Sequence, residues 1–162
     1  MSLGFVVVPE GRAAVIERGG RFRTVLGPGR HLVLPFADRV RARVDLGEQI
    51  LSAPPQPVEA GDGREVLIGY EVVFAVADPR LATYEIADPA SAIDRLTRTA
   101  LRQEAGLTTA ERAVTAPGDL HRTVWTVLHD TTARWGIAAK ELELTVSPPA
   151  APGTPSTAQE WY

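Results

Sequence analysis

His31, His121 and His129 are the side chains of this 162-residue chain best suited to bind a metal or move a proton near neutral pH. His121 and His129 fall eight positions apart in one helical stretch, whereas helical chelation uses histidines at i and i+4. There is no cysteine, which excludes disulfides, thiolate nucleophiles and cysteine-ligated zinc. No serine stands in the Gly-x-Ser-x-Gly pattern of a nucleophile elbow. Gly27-Pro28-Gly29 lacks the Lys-Ser/Thr of a phosphate loop and leads into a strand, so it reads as a turn. The expectation is no catalytic residue, no metal site and no cofactor, with the histidines at the surface or its boundary.

Chemistry of surfaces remains. Arg39, Arg41 and Arg43 alternate with Val40, Ala42 and Val44, which describes a half-buried strand with a basic outer stripe. Arg21 and Arg23 lie nearby in sequence. Such a stripe suits anionic lipid headgroups, at about 1 kcal/mol per basic residue. Asp38, Asp45 and Glu48 soften it, and a solvated strand face is the plainer reading. Leu3 with Phe5 to Val8 could dip into an interface, but the run reads as a buried strand rather than an amphipathic helix. Trp161-Tyr162 ends a polar stretch and is a candidate hook for docking on a neighbour or partner.

The element that must organise these residues runs from Glu65 to Pro79. Val66, Ile68, Tyr70, Val72, Phe74 and Val76 alternate with smaller or polar residues, the signature of a long strand with one buried face. Before it, short apolar runs at Phe5–Pro9, Ala13–Glu17, Phe22–Leu26, His31–Leu34 and Val40–Val44 read as strands, the first two pairing as a hairpin. Gln49–Ser52 and Val58–Ala60 are short extended pieces separated by Pro54-Pro55-Gln56-Pro57. Gly61-Asp62-Gly63 then turns into the long strand.

After Pro79 the period changes to that of helices. Asp88-Pro89 opens one that Gly106 stops, with Ser91-x-x-Asp94 as a capping box. Thr108-x-x-Glu111 opens a short one, and Asp119 is the cap expected for the last. There Leu120, Val124, Val127, Leu128, Thr131 and Trp135 make one stripe, with Gly136 as the left-handed end. Leu142, Leu144 and Val146 alternate in a closing strand. Strands, then helices, then a strand make an α+β fold.

Hydrophobic residues make up 44% of the chain and charged ones 23%, which fits one soluble globular core. Net charge is −3, a weak argument against nucleic acid, although residues 10–45 hold eight arginines against four acids. The early apolar run is far short of the roughly 20 residues of a membrane helix and lacks a signal peptide's features. The expected location is the cytoplasm, with peripheral contact at the inner face of the membrane.

Several segments together resemble the SPFH, or band 7, superfamily of stomatins, prohibitins, flotillins and HflK/C proteins, nearest the stomatin/slipin branch. They are Val8-Pro9-Glu10, Ala14-Val15-Ile16, Arg18 to Phe22, Gly27-Pro28-Gly29, Leu34-Pro35-Phe36, Asp38-Arg39-Val40 and Val44-Asp45-Leu46. Pro54 to Val58, Val76-Ala77-Asp78-Pro79, Ala100-Leu101-Arg102 and Trp135-Gly136-Ile137 follow in order, so the likeness covers residues 6 to 146. It implies a curved antiparallel sheet of about six to seven strands with helices on one side. It also implies a non-catalytic scaffold that self-associates, organises membrane patches and regulates partners such as proteases or channels.

The alternative is a soluble module that binds a client or another family member without touching membrane. Family members usually carry a membrane anchor before the first strand and a coiled coil after the last. Here Met1 to Gly4 precede the strand and no heptads follow it, so the expectation is a domain standing alone, residues 1–146, with a flexible tail at 147–162.

Overall fold

The computed structural model describes residues 3–149. Its strands are β1 (Gly4–Val8), β2 (Arg12–Arg18), β3 (Arg21–Leu26), β4 (Gly29–Val33), β5 (Asp38–Asp45), β6 (Gln49–Glu59), β7 (Glu65–Val76) and β8 (Ile137–Ser147). Between β7 and β8 come α1 (Pro79–Glu85), α2 (Pro89–Ala105), α3 (Ala110–Thr115) and α4 (Pro117–Arg134). The architecture is α+β, as the residue pattern predicts. Its eight strands form three antiparallel sheets, ordered β1-β4, β3-β2-β5 and β6-β7-β8.

β7 sits in the middle of the third sheet. Val66, Ile68, Tyr70, Val72, Phe74 and Val76 are all buried, and they share one face because side chains alternate along a strand. All of these but Val76 join one cluster, which Ile93, Ala100 and Leu101 of α2 and Leu120, Val124 and Leu128 of α4 complete. Each large side chain so buried contributes about 1.5–3 kcal/mol, which makes this the principal core. A second, smaller cluster joins Val8 to Ala14 and Ile16, with Val6, Leu26 and Val40 against it.

Several local expectations are corrected. β1 and β2 do not form a hairpin. β1 pairs with β4, while β2 pairs with β3 and β5. The turn closed by Arg12 N–H on Pro9 O sends the chain into a second layer, so β1 meets β2 through Val8, Ala14 and Ile16 rather than through a ladder. The pieces either side of the proline cluster are one strand, β6. A register shift between Ala53 and Gln56 takes Pro54 and Pro55 out of the ladder, and an edge strand tolerates prolines there. β8 begins directly after Gly136, earlier than Leu142.

Helix starts also differ from the pattern. Asp88 alone caps α2, accepting from Ser91 N–H at 3.4 Å and Ser91 Oγ–H at 2.6 Å, which releases Asp94 for other contacts. Thr109, rather than Thr108, caps α3. α4 has no side-chain cap; Asp119 lies in its first turn, 3.5 Å from Arg112 and 3.7 Å from Arg122. Thr132, rather than Thr131, is buried in its stripe, and Val127 is partly exposed. Gly136 ends the helix at φ 73°, as its position predicts.

Candidate membrane-contact face

The β1-β4 ribbon is apolar on both faces, and only one face has a core to enter. Val6 packs inward against Val8, Ala14 and Ile16. The alternate residues Phe5 and Val7 face out, 69% and 55% exposed. Antiparallel register sets Phe5 opposite Leu32 and Val7 opposite Arg30, so these four share one face. Leu3 and Leu34 continue the same alternation at the ribbon's end, and Phe36, fully open to solvent, follows in the next turn. Of the eleven large apolar residues exposed among the described ones, six belong to this ribbon and its turn. That concentration distinguishes a patch from scattered surface residues.

The turn that presents Phe36 is held rigidly. Ala37 and Asp38 donate their N–H groups to Leu34 O at 3.1 and 2.8 Å, and Leu34 N–H returns a bond to Asp38 Oδ2 at 2.9 Å. Arg18 grips the same carboxylate with Nε at 2.7 Å and Nη2 at 3.1 Å, and Arg23 Nη1 adds a contact at 2.7 Å. The Asp38 side chain is only 1% accessible. The hydrogen bond from Arg18, then that from Leu34 N–H, hold its pKa down at about 2 against the cost of desolvation. Asp38 is therefore consumed in anchoring the turn and does not soften the β5 stripe, contrary to the sequence reading.

Arg39, Arg41 and Arg43 are each exposed and alternate with half-buried Val40, Ala42 and Val44. A register shift in the β2-β5 ladder, however, sets Arg39 opposite Glu17 and Arg43 opposite Ala14, so the expected single stripe is split between the two faces of the sheet. They do not act as one group. Arg41 Nε approaches Glu17 Oε1 at 3.6 Å, Arg43 Nη1 donates to Val7 O at 3.3 Å, and Arg39 has no ion pair among the described residues. The Arg43 bond ties β5 to β1 of the apolar ribbon. Arg30 on the ribbon and Arg43 beside it give the greasy face a cationic margin.

The histidines have structural partners. His31 Nε2 is 2.7 Å from Gly27 O, across the Gly27-Pro28-Gly29 turn. His121 Nε2 is 2.7 Å from Leu142 O and links α4 to β8. His129 stands against the Trp125 ring at 5.7 Å. Among the described residues no group of His, Asp and Glu is disposed to hold a metal, and no helix is long and apolar enough to cross a membrane. Trp161 and Tyr162 lie outside the described residues.

The sequence raises Leu3 and Phe5 to Val8 as an interfacial run but favours a buried strand for them, and it does not identify Leu32, Leu34 or Phe36 as part of the same face. The available signal was that Phe5 to Val8 and Leu32 to Leu34 are apolar at consecutive positions, which puts apolar side chains on both faces of a strand.

The fold and this face define an α+β domain of antiparallel sheets that shows water an apolar sheet face edged by arginine. Residues 6–151 match the SPFH domain / Band 7 family, and the chain belongs to that family. An uncharacterised protein of Mycobacterium tuberculosis is 40% identical over 144 residues, which cover 88% of this chain and 38% of the relative. The human mitochondrial stomatin-like protein 2 is 28% identical over 137 residues, covering 85% of this chain and 38% of that protein. An uncharacterised protein of Methanothermobacter thermautotrophicus is 29% identical over 136 residues, 83% of this chain and 42% of its own length. The chain thus spans well under half the length of these relatives.

Proposed function

We propose that this domain is a non-catalytic, stomatin-like scaffold that rests on a membrane surface through the β1-β4 face and self-associates there to organise or regulate membrane-bound partners. The observation that carries this reading is the cluster of Leu3, Phe5, Val7, Leu32, Leu34 and Phe36, exposed together beside Arg30 and Arg43. Apolar side chains enter the acyl boundary and arginines meet phosphates, so the two features support the same orientation. Of the β5 arginines, Arg43, bonded to Val7 O, stands beside this face and adds attraction to anionic lipid, whereas Arg39 and Arg41 belong with Glu17 on the other side of the β2-β5 pair. Kinship with the stomatin-like relatives supports the scaffold role.

The same face, covered by a client protein instead of lipid, describes the second reading, a soluble interaction module. Vesicle flotation separates the two. Binding to anionic vesicles that exceeds binding to neutral ones is the expected result. Negligible and equal association with both would overturn the membrane reading and leave the protein-binding one.

A further inference from the structure

An open groove of about 620 Å³ lies where the β6–β7 turn, α3 and the end of β8 converge. Its floor is Val66, Ala110 and Val114, and Pro148 and Pro149 form one wall. Its volume is in the range of about 300–1,000 Å³ typical of ligand sites, and its lining is mainly apolar. The floor is braced. Gly61 donates its N–H to Ala105 O at 3.1 Å and to Thr108 O at 2.7 Å, and Asp62 accepts from Ala110 N–H at 3.4 Å. A Cβ at Gly61 would meet Gly106 O at 2.5 Å, so glycine is what allows the two loops to touch. The groove is therefore a fixed feature of the fold rather than a gap between loose segments.

We propose that the occupant of this groove is the chain's own Trp161-Tyr162. The chain leaves the described fold at the groove's wall, at Pro149. Residues 150–162 contain no other large apolar side chain. Eleven residues separate Pro149 from Trp161, and a linker of that length spans about 20 Å on average, enough to turn back on its own exit point. So short a tether holds the aromatic pair at an effective concentration of order millimolar, at which a weak apolar contact is populated. Trp and Tyr offer large rigid surface at small entropic cost.

Charge sets the direction of entry. Glu160 is the only charged residue after Glu143. Arg64 stands on the rim with no ion pair among the described residues, while Glu65 and Glu111 disfavour other placements. A partner carrying a similar aromatic pair would have to displace the docked Trp161-Tyr162.

The test uses the full chain. Its three tryptophans are Trp125, Trp135 and Trp161, so Trp125→Phe with Trp135→Phe leaves Trp161 as the one indole. Docking predicts blue-shifted emission that is independent of protein concentration and several-fold weaker quenching by acrylamide than for free tryptophan. Val114→Glu, at a half-buried position, should release it. Independently, amide spectra of Trp161→Ala against the unmodified chain should differ at Val66, Ala110 and Val114 beyond the substituted segment itself. A freely quenched Trp161 together with unchanged groove amides would overturn the proposal. So would protection that appears only on concentrating the sample, because the occupant would then be a second copy.

Discussion

Phe5 and Leu32 face each other across β1 and β4, and both point into solvent, 69% and 59% exposed. A cross-strand apolar pair normally stabilises a sheet by covering itself against a neighbouring layer. This pair has no layer over it among the described residues. Its burial energy is therefore available to whatever the face meets. Replacing both with threonine should weaken vesicle association by more than tenfold, since burying each apolar side chain is worth about 1.5–3 kcal/mol. The denaturation midpoint should hardly move, because a surface change away from special features costs within about 0.5 kcal/mol. Flotation and denaturant titration on the same preparations measure both. Undiminished flotation of the double variant would remove the face from consideration.

The arginine stripe makes a different demand. Arg39 and Arg43 have no carboxylate partner among the described residues, whereas Arg41 lies 3.6 Å from Glu17. Alanine at Arg43 should reduce binding to anionic vesicles by about fivefold at low salt, at roughly 1 kcal/mol per cation, and by less at 0.15 M, while alanine at Arg39, which stands opposite Glu17 on the other side of the sheet, should do less. Alanine at Arg41 should do less, because part of its charge is answered by Glu17. Binding to neutral vesicles should be unaffected by all three. A salt series of association constants checks this, and equal losses on neutral vesicles would show that the arginines act through the fold.

The sequence was most legible where one periodicity ran long without competition. Twelve residues of β7, the start of α2 at Asp88-Pro89 with its stop at Gly106, and the left-handed Gly136 all follow from local pattern and stand as read. It was least legible where pairing partners had to be chosen. Nothing within Phe5–Val8 states that its ladder partner is His31's strand rather than the nearer Ala14's, since both are short and apolar. That choice decides which side of Phe5 is covered, so the candidate face depended on a long-range pairing that no local rule supplies. Capping failed for a related reason. Asp94 fits a capping box by spacing, but its own helix brings Arg98 to it at i+4 and the tertiary fold brings Tyr70, and those contacts win.

Asp38 gives the candidate face a pH dependence. Its carboxylate binds Arg18, Arg23 and Leu34 N–H, and its pKa of about 2 lies below the ordinary value of about 3.9 expected for the unfolded chain. A depressed carboxylate stabilises the fold fully above its unfolded value and loses that contribution as pH falls toward its folded one. The Leu34–Asp38 turn should therefore loosen between about pH 4 and pH 2. Hydrogen exchange at Leu34 N–H should accelerate through that window, and Asp38→Asn should show the faster exchange already at neutral pH. Exchange at Leu34 that stays constant from pH 7 to pH 2, after correction for intrinsic rates, would contradict this.

Gly136 joins α4 to β8 at φ 73°, and a Cβ there would come within 2.6 Å of Asp78 O and 2.7 Å of Leu81 Cβ. Its carbonyl also accepts the N–H groups of Ala77 and Asp78 at 2.8 and 2.9 Å, so the backbone cannot retreat without breaking both. Gly136→Ala should cost about 2 kcal/mol or more, from the left-handed penalty and the overlap together. Gly118, with nothing near its would-be Cβ and no positive φ, should take alanine at no such cost. Chemical denaturation of the two variants side by side makes the comparison, and equal midpoints would refute the close-approach argument.

Tyr70, Asp94 and Arg98 bind β7 to α2 with a polar link inside an otherwise apolar interface. Tyr70 Oη–H donates to the Asp94 carboxylate, Arg98 Nε–H donates to the same carboxylate at 2.8 Å, and Arg98 Nη1–H reaches Gln56 Oε1 on β6. Burial, then the bond to Asp94, pushes the Tyr70 phenol well above its usual value. Burial also opposes the charge on Asp94, yet the hydrogen bonds from Arg98 and Tyr70 outweigh it and leave that pKa lowered. Tyr70→Phe removes one donor and should cost about 1–2 kcal/mol. Asp94→Ala leaves both the phenol and the guanidinium without their acceptor and should cost more, about 2–3 kcal/mol. The double variant should lose less than the sum, because the second change removes a group already stranded by the first. A raised phenol pKa contributes stability that is complete below the ordinary tyrosine value of about 10 and declines above it, so Tyr70→Phe should also flatten alkaline unfolding. Denaturant midpoints of the single and double variants, read at neutral and at alkaline pH, decide both points. Strict additivity at neutral pH would show that the three side chains lie near one another without acting together.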